Sequence, residues 1–204
     1  LGVDLLSVAG GKIYGPRGMG VLMKRRHVDL EPVFLGGRQE FGLRAGTENL
    51  PSIIGLKHAL DIAHSERDEM VIKMGRFQET MHDLLFARLA TFMPGMSLNG
   101  HPTNRLPNNL NICFPKMDAE FLVLRLDALG VALSSVTSCR ASNEDSSSYV
   151  IEALGKKSNT EGDTTTDDCA QSSLRITFGR FTTGEEVAIA IEKIVQAVKE
   201  QMEA

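Results

Sequence analysis

Short apolar segments closed by glycine or proline alternate with longer segments of helical periodicity along the whole chain. Segments of the first kind are typical of β-strands, because strands are short and end at turn-forming residues. Strands and helices that interleave in this way predict an α/β or α+β fold. No internal repeat is present. The predicted strands cover residues 3–8, 21–23, 109–114, 131–135 and 174–178.

Helices are predicted where apolar residues recur at helical spacing and capping residues mark the ends. Asp118 is positioned as the N-cap of its helix, and Gly130 follows as the closing residue. Thr183 and Glu186 form a capping box before the last helix. That helix carries an apolar stripe of Val187, Ile191, Ile194, Val195 and Val198. The predicted helices cover residues 51–89, 119–129, 146–154 and the segment after Thr183.

The composition of the chain argues against nucleic acid and membranes as binding partners. The net charge of −4 gives no electrostatic reason to expect nucleic acid or an acidic membrane. No apolar run approaches the roughly 20 residues needed to cross a bilayer. The basic cluster at 24–27 is interpreted as a solvated strand end. The polar segment 156–168 has no apolar residue and is expected to form an exposed, mobile loop.

The chain has three cysteines without CxxC or zinc-ligand spacing, which predicts free thiols, a reducing compartment and no metal site. Cys113 lies within a predicted strand and is interpreted as a core residue. Cys139 is flanked by small polar residues and followed by Arg140, a setting that favours a reactive thiolate. The alternative is a surface cysteine without a role. Cys169 borders the polar loop and has no supporting context.

Other segments carry residues suited to chemistry. Lys12 follows a predicted strand in a glycine context, where a desolvated amine can form a Schiff base, although most lysines are surface residues. The glycine-rich loop 36–47 ends in Thr47 and offers N–H and hydroxyl groups to a phosphate, or is an ordinary turn. Arg175 alternates with apolar residues on a strand, so it faces a pocket for a carboxylate or faces solvent.

The order of these segments resembles that of the cysteine desulfurase and selenocysteine lyase family. The segment SVAGGKIYGP around Lys12 is similar to the family's lysine segment. The loop GGRQEFGLRAGTEN is similar to the family's GGxQE and R-x-G-T pattern, and its Gly-Thr-Glu-Asn run leans toward selenocysteine lyases. SSVTSCRAS, SYVIEALG and SLRITFGRFTT match the remaining landmarks in order. The resemblance covers essentially all 204 residues.

This resemblance implies the type I fold of pyridoxal-phosphate enzymes. Residues 1–63 would be the C-terminal end of the large cofactor-binding domain, and residues 64–204 the small C-terminal domain that carries the cysteine loop. The natural N-terminus is expected to lie upstream of residue 1. The upstream half supplies the family's ring-stacking histidine and its aspartate for the pyridine nitrogen, so the segment alone is not expected to be active.

The resemblance also implies site residues and partners. Lys12 would hold pyridoxal 5'-phosphate and move protons. Thr47 would reach the cofactor phosphate of the other subunit in a homodimer. Cys139 would take sulfur or selenium from L-cysteine or L-selenocysteine as an enzyme-bound persulfide or selenopersulfide, with release of L-alanine. Arg175 would bind the substrate carboxylate. An acceptor protein for the chalcogen, and a cytoplasmic location with a mitochondrial one as the alternative, complete the prediction.

Three positions depart from the family pattern. Gly11 stands where the family has a histidine, Ala9 where it has a phosphate-binding serine, and Arg38 where it has a third glycine. Two of these changes would remove cofactor contacts, each worth about 1–3 kcal/mol. They motivate one alternative, a non-catalytic relative kept for binding or scaffolding. A related type I aminotransferase is the other alternative, which Cys139 disfavours.

Overall fold

The computed structural model describes residues 2–135, 148–154 and 169–203. The chain divides into two compact units, Leu1–Asp68 and Glu69–Ala204. Strands and helices interleave in both, as the sequence predicts. None of the helices in the described ranges is long and apolar enough to cross a membrane.

The first unit contains a two-stranded antiparallel ribbon and one helix. Strand β1 (Leu5–Ala9) pairs with β2 (Gly20–Lys24), with Leu5 opposite Lys24 and Ala9 opposite Gly20. Helix α1 spans Leu50–Ser65, with Pro51 in its first turn and the Asn49 side chain accepting a hydrogen bond from the Ser52 N–H at 3.2 Å. Asn49 therefore caps a helix whose start Pro51 predicts.

The ribbon of the first unit is largely exposed, although its two strands were predicted from apolar segments. Leu5 is 43% exposed and Leu22 is 59% exposed. In this unit the buried apolar side chains of the described residues are Leu56 and Ala59 of α1. An apolar strand pattern predicts a sheet, but burial depends on which other elements cover it.

The second unit is a three-stranded antiparallel sheet whose apolar face is covered by three helices, while a fourth, short helix packs through Ile151 on Cys113 at the other face. The strands lie in the order β3 (Ser97–Leu98), β4 (Asn109–Cys113) and β5 (Ser173–Thr177). Leu110 and Ile112 of β4 and Leu174 and Ile176 of β5 point to the apolar core, because alternate residues of a strand share a face. The helices are α2 (Arg67–Leu89), α3 (Ala119–Ala128), α4 (Tyr149–Ala153) and α5 (Gly184–Glu203).

The predicted helix ends in this unit are confirmed. Asp118 accepts hydrogen bonds from the N–H groups of Glu120 and Phe121 at the start of α3. At the start of α5, Thr183 Oγ1 accepts from Glu186 N at 3.2 Å and Glu186 Oε2 accepts from Thr183 N at 2.8 Å. The predicted apolar stripe of α5 is buried: Val187, Ile191, Ile194, Val195 and Val198.

Several boundaries are wrong or untested. Residues 131–135 form no named strand, because their pairing is limited to a single bridge between Ser134 and Arg175. The helical region 51–89 is two helices separated at Glu66. Strand β3 was missed, since two residues are too few to show a period of two. Residues 146–147 of the predicted short helix, and the polar loop 156–168, lie outside the described residues.

Candidate active site

Lys12 lies on a short 3-10 turn, Gly10–Ile13, that follows β1 directly. The Gly10 N–H donates to Met19 O at 2.8 Å, and the Gly15 N–H donates to Gly10 O at 2.9 Å, so the turn is tied to the entrance of β2. A Cβ on Gly10 would lie 2.7 Å from Met19 O and 3.2 Å from Leu56 Cδ1. Glycine at position 10 therefore lets the turn close against both β2 and α1. The Lys12 side chain itself is exposed, so the described residues do not provide the desolvation that the sequence predicts for this amine.

The loop that contains Thr47 is held by a residue to which the sequence assigns no role. Gln39 Oε1 accepts a hydrogen bond from the Gly46 N–H at 3.3 Å, which closes the loop. Glu40 and Phe41 adopt left-handed backbone angles, with φ of 47° and 60°, which are costly for non-glycine residues. Thr47, the next residue after Gly46, is exposed. Thr47 thus lies on the surface, directly after the residue whose hydrogen bond to Gln39 closes the loop.

Arg175 lies on β5, and its alternation with buried Leu174 and Ile176 confirms the predicted strand face. Its N–H donates to Ser134 O at 2.7 Å, and its Nη2 lies 3.5 Å from Ser134 Oγ. The Arg175 Nε atom is buried and has no hydrogen-bond acceptor among the described residues. Because an unpaired buried donor is unfavourable, this guanidinium suits an anionic ligand.

The prediction of three free thiols is wrong for two of them. Cys113, at the end of β4, and Cys169, four residues before Ser173 of β5, form a disulfide with Cα atoms 5.2 Å apart. Both side chains are buried, and Ile151 and Ala170 pack with them. The two cysteines are 56 positions apart in sequence and are brought together only by the pairing of β4 with β5, so their spacing does not predict the bond. The pairing also removes the argument from cysteines for a reducing compartment.

The predicted site residues are distributed over both units. Lys12 and Thr47 lie in the first unit, and Arg175 lies in the second. Cys139 lies outside the described residues, as does its neighbour Arg140. The roles of all four predicted site residues therefore remain proposals. Among the described residues, no group of three or more His, Cys, Asp or Glu side chains is arranged to hold a metal ion.

Known proteins resemble the chain in both structure and sequence. A solved structure of a NifS-like protein superposes with a TM-score of 0.79 over 98% of this chain and 47% of its own, at 28% identity. The fold is accordingly the type I fold of pyridoxal-phosphate enzymes. The model of the aminotransferase class-V family matches residues 1–189, and the chain belongs to that family.

Curated relatives are similar over nearly the whole chain. The cysteine desulfurase IscS of Pseudomonas aeruginosa is 38% identical over 205 residues, which is 100% of this chain and 46% of that protein. The cysteine desulfurase of Homo sapiens is 36% identical over 199 residues, 97% of this chain and 40% of that protein. The chain spans about half the length of the curated relatives it matches. The resemblance that the sequence motifs indicated is confirmed at the level of the family.

Proposed function

We propose that the protein containing this chain removes sulfur or selenium from L-cysteine or L-selenocysteine and releases L-alanine. The observation that carries the proposal is the match to cysteine desulfurases over 97–100% of the chain, which includes the segments of Lys12, Thr47, Cys139 and Arg175. The arrangement of the described residues supports it. Sulfur is the substrate element that the relatives' names indicate, and selenium rests on the Gly-Thr-Glu-Asn run after Ala45.

The donor groups of the first unit fit pyridoxal 5'-phosphate. Lys12 presents a primary amine, the group that attaches covalently to an aldehyde, on a turn tied to β2 through Gly10. Thr47 presents a hydroxyl next to Gly46 on a closed loop, which suits a phosphate oxygen. When bound, the cofactor supplies an electron sink for the bonding electrons at the substrate Cα. In the proposed homodimer, Thr47 contacts the cofactor phosphate of the neighbouring subunit.

The remaining steps belong to side chains of this chain. Arg175 binds the substrate carboxylate and thereby orients the side chain that loses its chalcogen. The Lys12 amine accepts and returns protons at the substrate. The Cys139 thiolate attacks the substrate sulfur or selenium, and the bond from that atom to Cβ breaks with its electron pair left on the carbon fragment, which takes up a proton to become alanine. The chalcogen stays on Cys139 as a persulfide or selenopersulfide until a thiol acceptor removes it. A sulfur-acceptor protein is therefore the proposed partner.

Cofactor absorbance and alanine release test this function in the intact protein. Lys12→Ala is expected to abolish the visible absorbance of bound cofactor, whereas Lys57→Ala, an exposed lysine of α1 paired with Asp61, keeps it. Cys139→Ser is expected to keep the absorbance and to stop alanine release from L-cysteine. Absorbance that persists in Lys12→Ala would refute the assignment of the cofactor lysine. Full turnover of Cys139→Ser with an amino-acid donor and a keto acid would favour the aminotransferase alternative.

The non-catalytic alternative is favoured by one observation at Gly11. A Cβ at this position would meet only Arg17 Cγ, at 3.9 Å, so packing does not explain the glycine that stands where the family has histidine. Ala9 and Arg38 depart from the family pattern in the same way. A protein kept for binding would bind neither cofactor nor substrate productively. Alanine release by the intact protein rejects this alternative.

A further inference from the structure

A row of polar side chains crosses the sheet of the second unit at Arg175. Asn99, which follows β3, donates its N–H to Asn111 O of β4 at 2.9 Å. Asn111 is in turn the register partner of Arg175 on β5. Residues directly opposite in antiparallel strands project from the same face. Asn111 therefore shares a face of the sheet with Arg175, opposite the apolar face that packs against α2, α3 and α5.

The backbone hydrogen bonds show that Asn111 and Arg175 form the type of antiparallel pair whose side chains lie closer together. The N–H and C=O of Arg175 are directed to Ser134, with N···O distances of 2.7 and 3.4 Å, and thus away from β4. The C=O of Asn111 is directed to β3, where it accepts from Asn99. Asn111 and Arg175 are consequently a non-hydrogen-bonded pair, in which Cα atoms lie about 4.5 Å apart and side chains are closer than in hydrogen-bonded pairs.

A chain of hydrogen bonds fixes which way the Asn111 amide is turned. The single hydroxyl proton of Ser173 is donated to Cys169 O, so Ser173 Oγ can only accept from Asn99 Nδ2, at 2.8 Å. The other proton of Asn99 Nδ2 is donated to Asn111 Oδ1 at 2.7 Å. The reverse orientation of Asn111 would put two amide nitrogens together. Asn111 therefore keeps its Nδ2, a donor, for another partner.

The hydrogen bonds that link Ser173, Asn99 and Asn111 leave one buried acceptor of Asn99 unpaired. Asn99 is 3% exposed, and its Oδ1 is buried without a hydrogen-bond partner among the described residues. Asn111 Nδ2 donates no hydrogen bond within the described ranges, and Arg175 Nε is buried and unpaired there. Unsatisfied buried polar groups such as Asn99 Oδ1 and Arg175 Nε are rare in native structures and call for a partner such as a water or a ligand. Two neighbouring donors without an acceptor fit an anion that has two oxygens.

We propose that Asn111 is a substrate-binding residue that donates its Nδ2–H to the substrate carboxylate beside Arg175. The proposal rests on the proposed function, since it assumes that Arg175 binds this carboxylate. Arg175 supplies the charge, and the neutral Asn111 amide adds a directional donor that favours a carboxylate over a carboxamide. Asn99 and Ser173 are positioning residues, because they act only by holding the Asn111 amide in this orientation.

The test compares two ligands that differ at the carboxylate alone. Binding of L-alanine and of L-alaninamide to the intact holoenzyme is measured by calorimetric titration for the wild type, Asn111→Asp and Asn111→Thr. Both substitutions keep an acceptor for Asn99. Asn111→Asp replaces the Nδ2 donor with a carboxylate oxygen, and Asn111→Thr leaves a hydroxyl donor on a shorter side chain that does not reach as far as Nδ2. Asn109→Asp is the matched control, because Asn109 lies on the same strand face two residues away, opposite Thr177.

Asn111→Asp is expected to weaken L-alanine binding by about ten- to a hundred-fold, the usual effect of a hydrogen bond to a charged group. Binding of L-alaninamide stays within about threefold, and Asn109→Asp binds both ligands like the wild type. With L-cysteine, KM rises while kcat changes little, as expected when a uniform binding contact is removed. Circular dichroism checks the fold of each variant. If Asn111→Asp does not fold, the binding data for Asn111→Thr test the proposed contact instead.

The outcomes separate this proposal from the function on which it rests. Unchanged L-alanine binding in the Asn111 variants, with a loss in Arg175→Gln, overturns the role of Asn111 alone. An equal loss for both ligands also overturns it, because a purely structural role does not distinguish them. If Arg175→Gln keeps the preference for the carboxylate, or if the wild type binds neither ligand, the assigned role of Arg175 fails as well.

Discussion

At the scale of single residues, two adjacent glycines before Lys12 have different surroundings. A Cβ on Gly10 would lie 2.7 Å from Met19 O, whereas a Cβ on Gly11 would have Arg17 Cγ, at 3.9 Å, as its nearest neighbour. Gly10→Ala is therefore expected to destabilise the protein by about 1–3 kcal/mol, because backbone must move. Gly11→Ala is expected to change the free energy of unfolding by less than about 1 kcal/mol.

Urea unfolding of the two variants measures this difference. Equal stability of Gly10→Ala and Gly11→Ala would contradict the close approach of the turn to β2. Because Gly10 anchors the turn that carries Lys12, Gly10→Ala should also slow cofactor attachment to the lysine. Gly11→Ala is the matched control for that effect, since it adds the same methyl group one residue nearer to Lys12.

The candidate site residues differ in how well the sequence predicts their positions and contacts. Lys12 and Arg175 follow from strand ends and alternation, and the structure places them on the elements that were predicted. The sequence assigns no role to Asn111 or Gln39, because an amide has no distinctive spacing and its hydrogen bonds depend on the tertiary structure. Register between strands, which pairs Asn111 with Arg175, is not encoded in either strand alone.

At the scale of elements, α5 depends on its capping box. Thr183 and Glu186 satisfy each other's backbone N–H groups at the start of a helix that packs into the core of the second unit. Thr183→Ala is expected to lower the free energy of unfolding by about 1 kcal/mol, because an orphan N–H loses its acceptor. Thr183→Ser keeps a hydroxyl and should recover most of this loss. Thermal unfolding of both variants checks the prediction, and an unchanged midpoint for Thr183→Ala would contradict it.

Element boundaries show where sequence patterns are sufficient. Caps at Asp118 and Thr183 act through side chains within three residues, so the sequence alone predicts them. Residues 131–135 have strand-like composition, but a strand needs a partner over several residues, and only Ser134 bridges to Arg175. A local sequence pattern can indicate that a segment is suited to a β-strand, but the number of residues that pair depends on the neighbouring strand.

At the scale of the whole molecule, burial and covalent pairing depend on contacts between distant segments. The core of the second unit brings together α2, α3, α5 and the sheet, and apolar periodicity predicts its helical faces well. Periodicity carries no information about the distance between Cys113 and Cys169. An odd cysteine count and the absence of CxxC or zinc-ligand spacing favoured free thiols, and the pairing of β4 with β5 overrode both signals.

The disulfide predicts a specific pattern of thiol reactivity. The chain has three cysteines, and the Cys113–Cys169 bond leaves Cys139 as the thiol available to an alkylating reagent. In protein purified without reductant, denatured and treated with iodoacetamide, peptide mass spectrometry should find an adduct at Cys139 alone of these three cysteines, and at all three after prior reduction with a dithiol. Cys139→Ser is the matched control, with none of the three positions modified before reduction and two modified afterwards. Three adducts without reduction would contradict the bond.

The bond also predicts a loss of stability when it is removed, because it joins two residues 56 positions apart. The Cys113→Ala, Cys169→Ala double variant should lower the free energy of unfolding by up to about 4 kcal/mol, mainly because the unfolded chain gains conformational entropy.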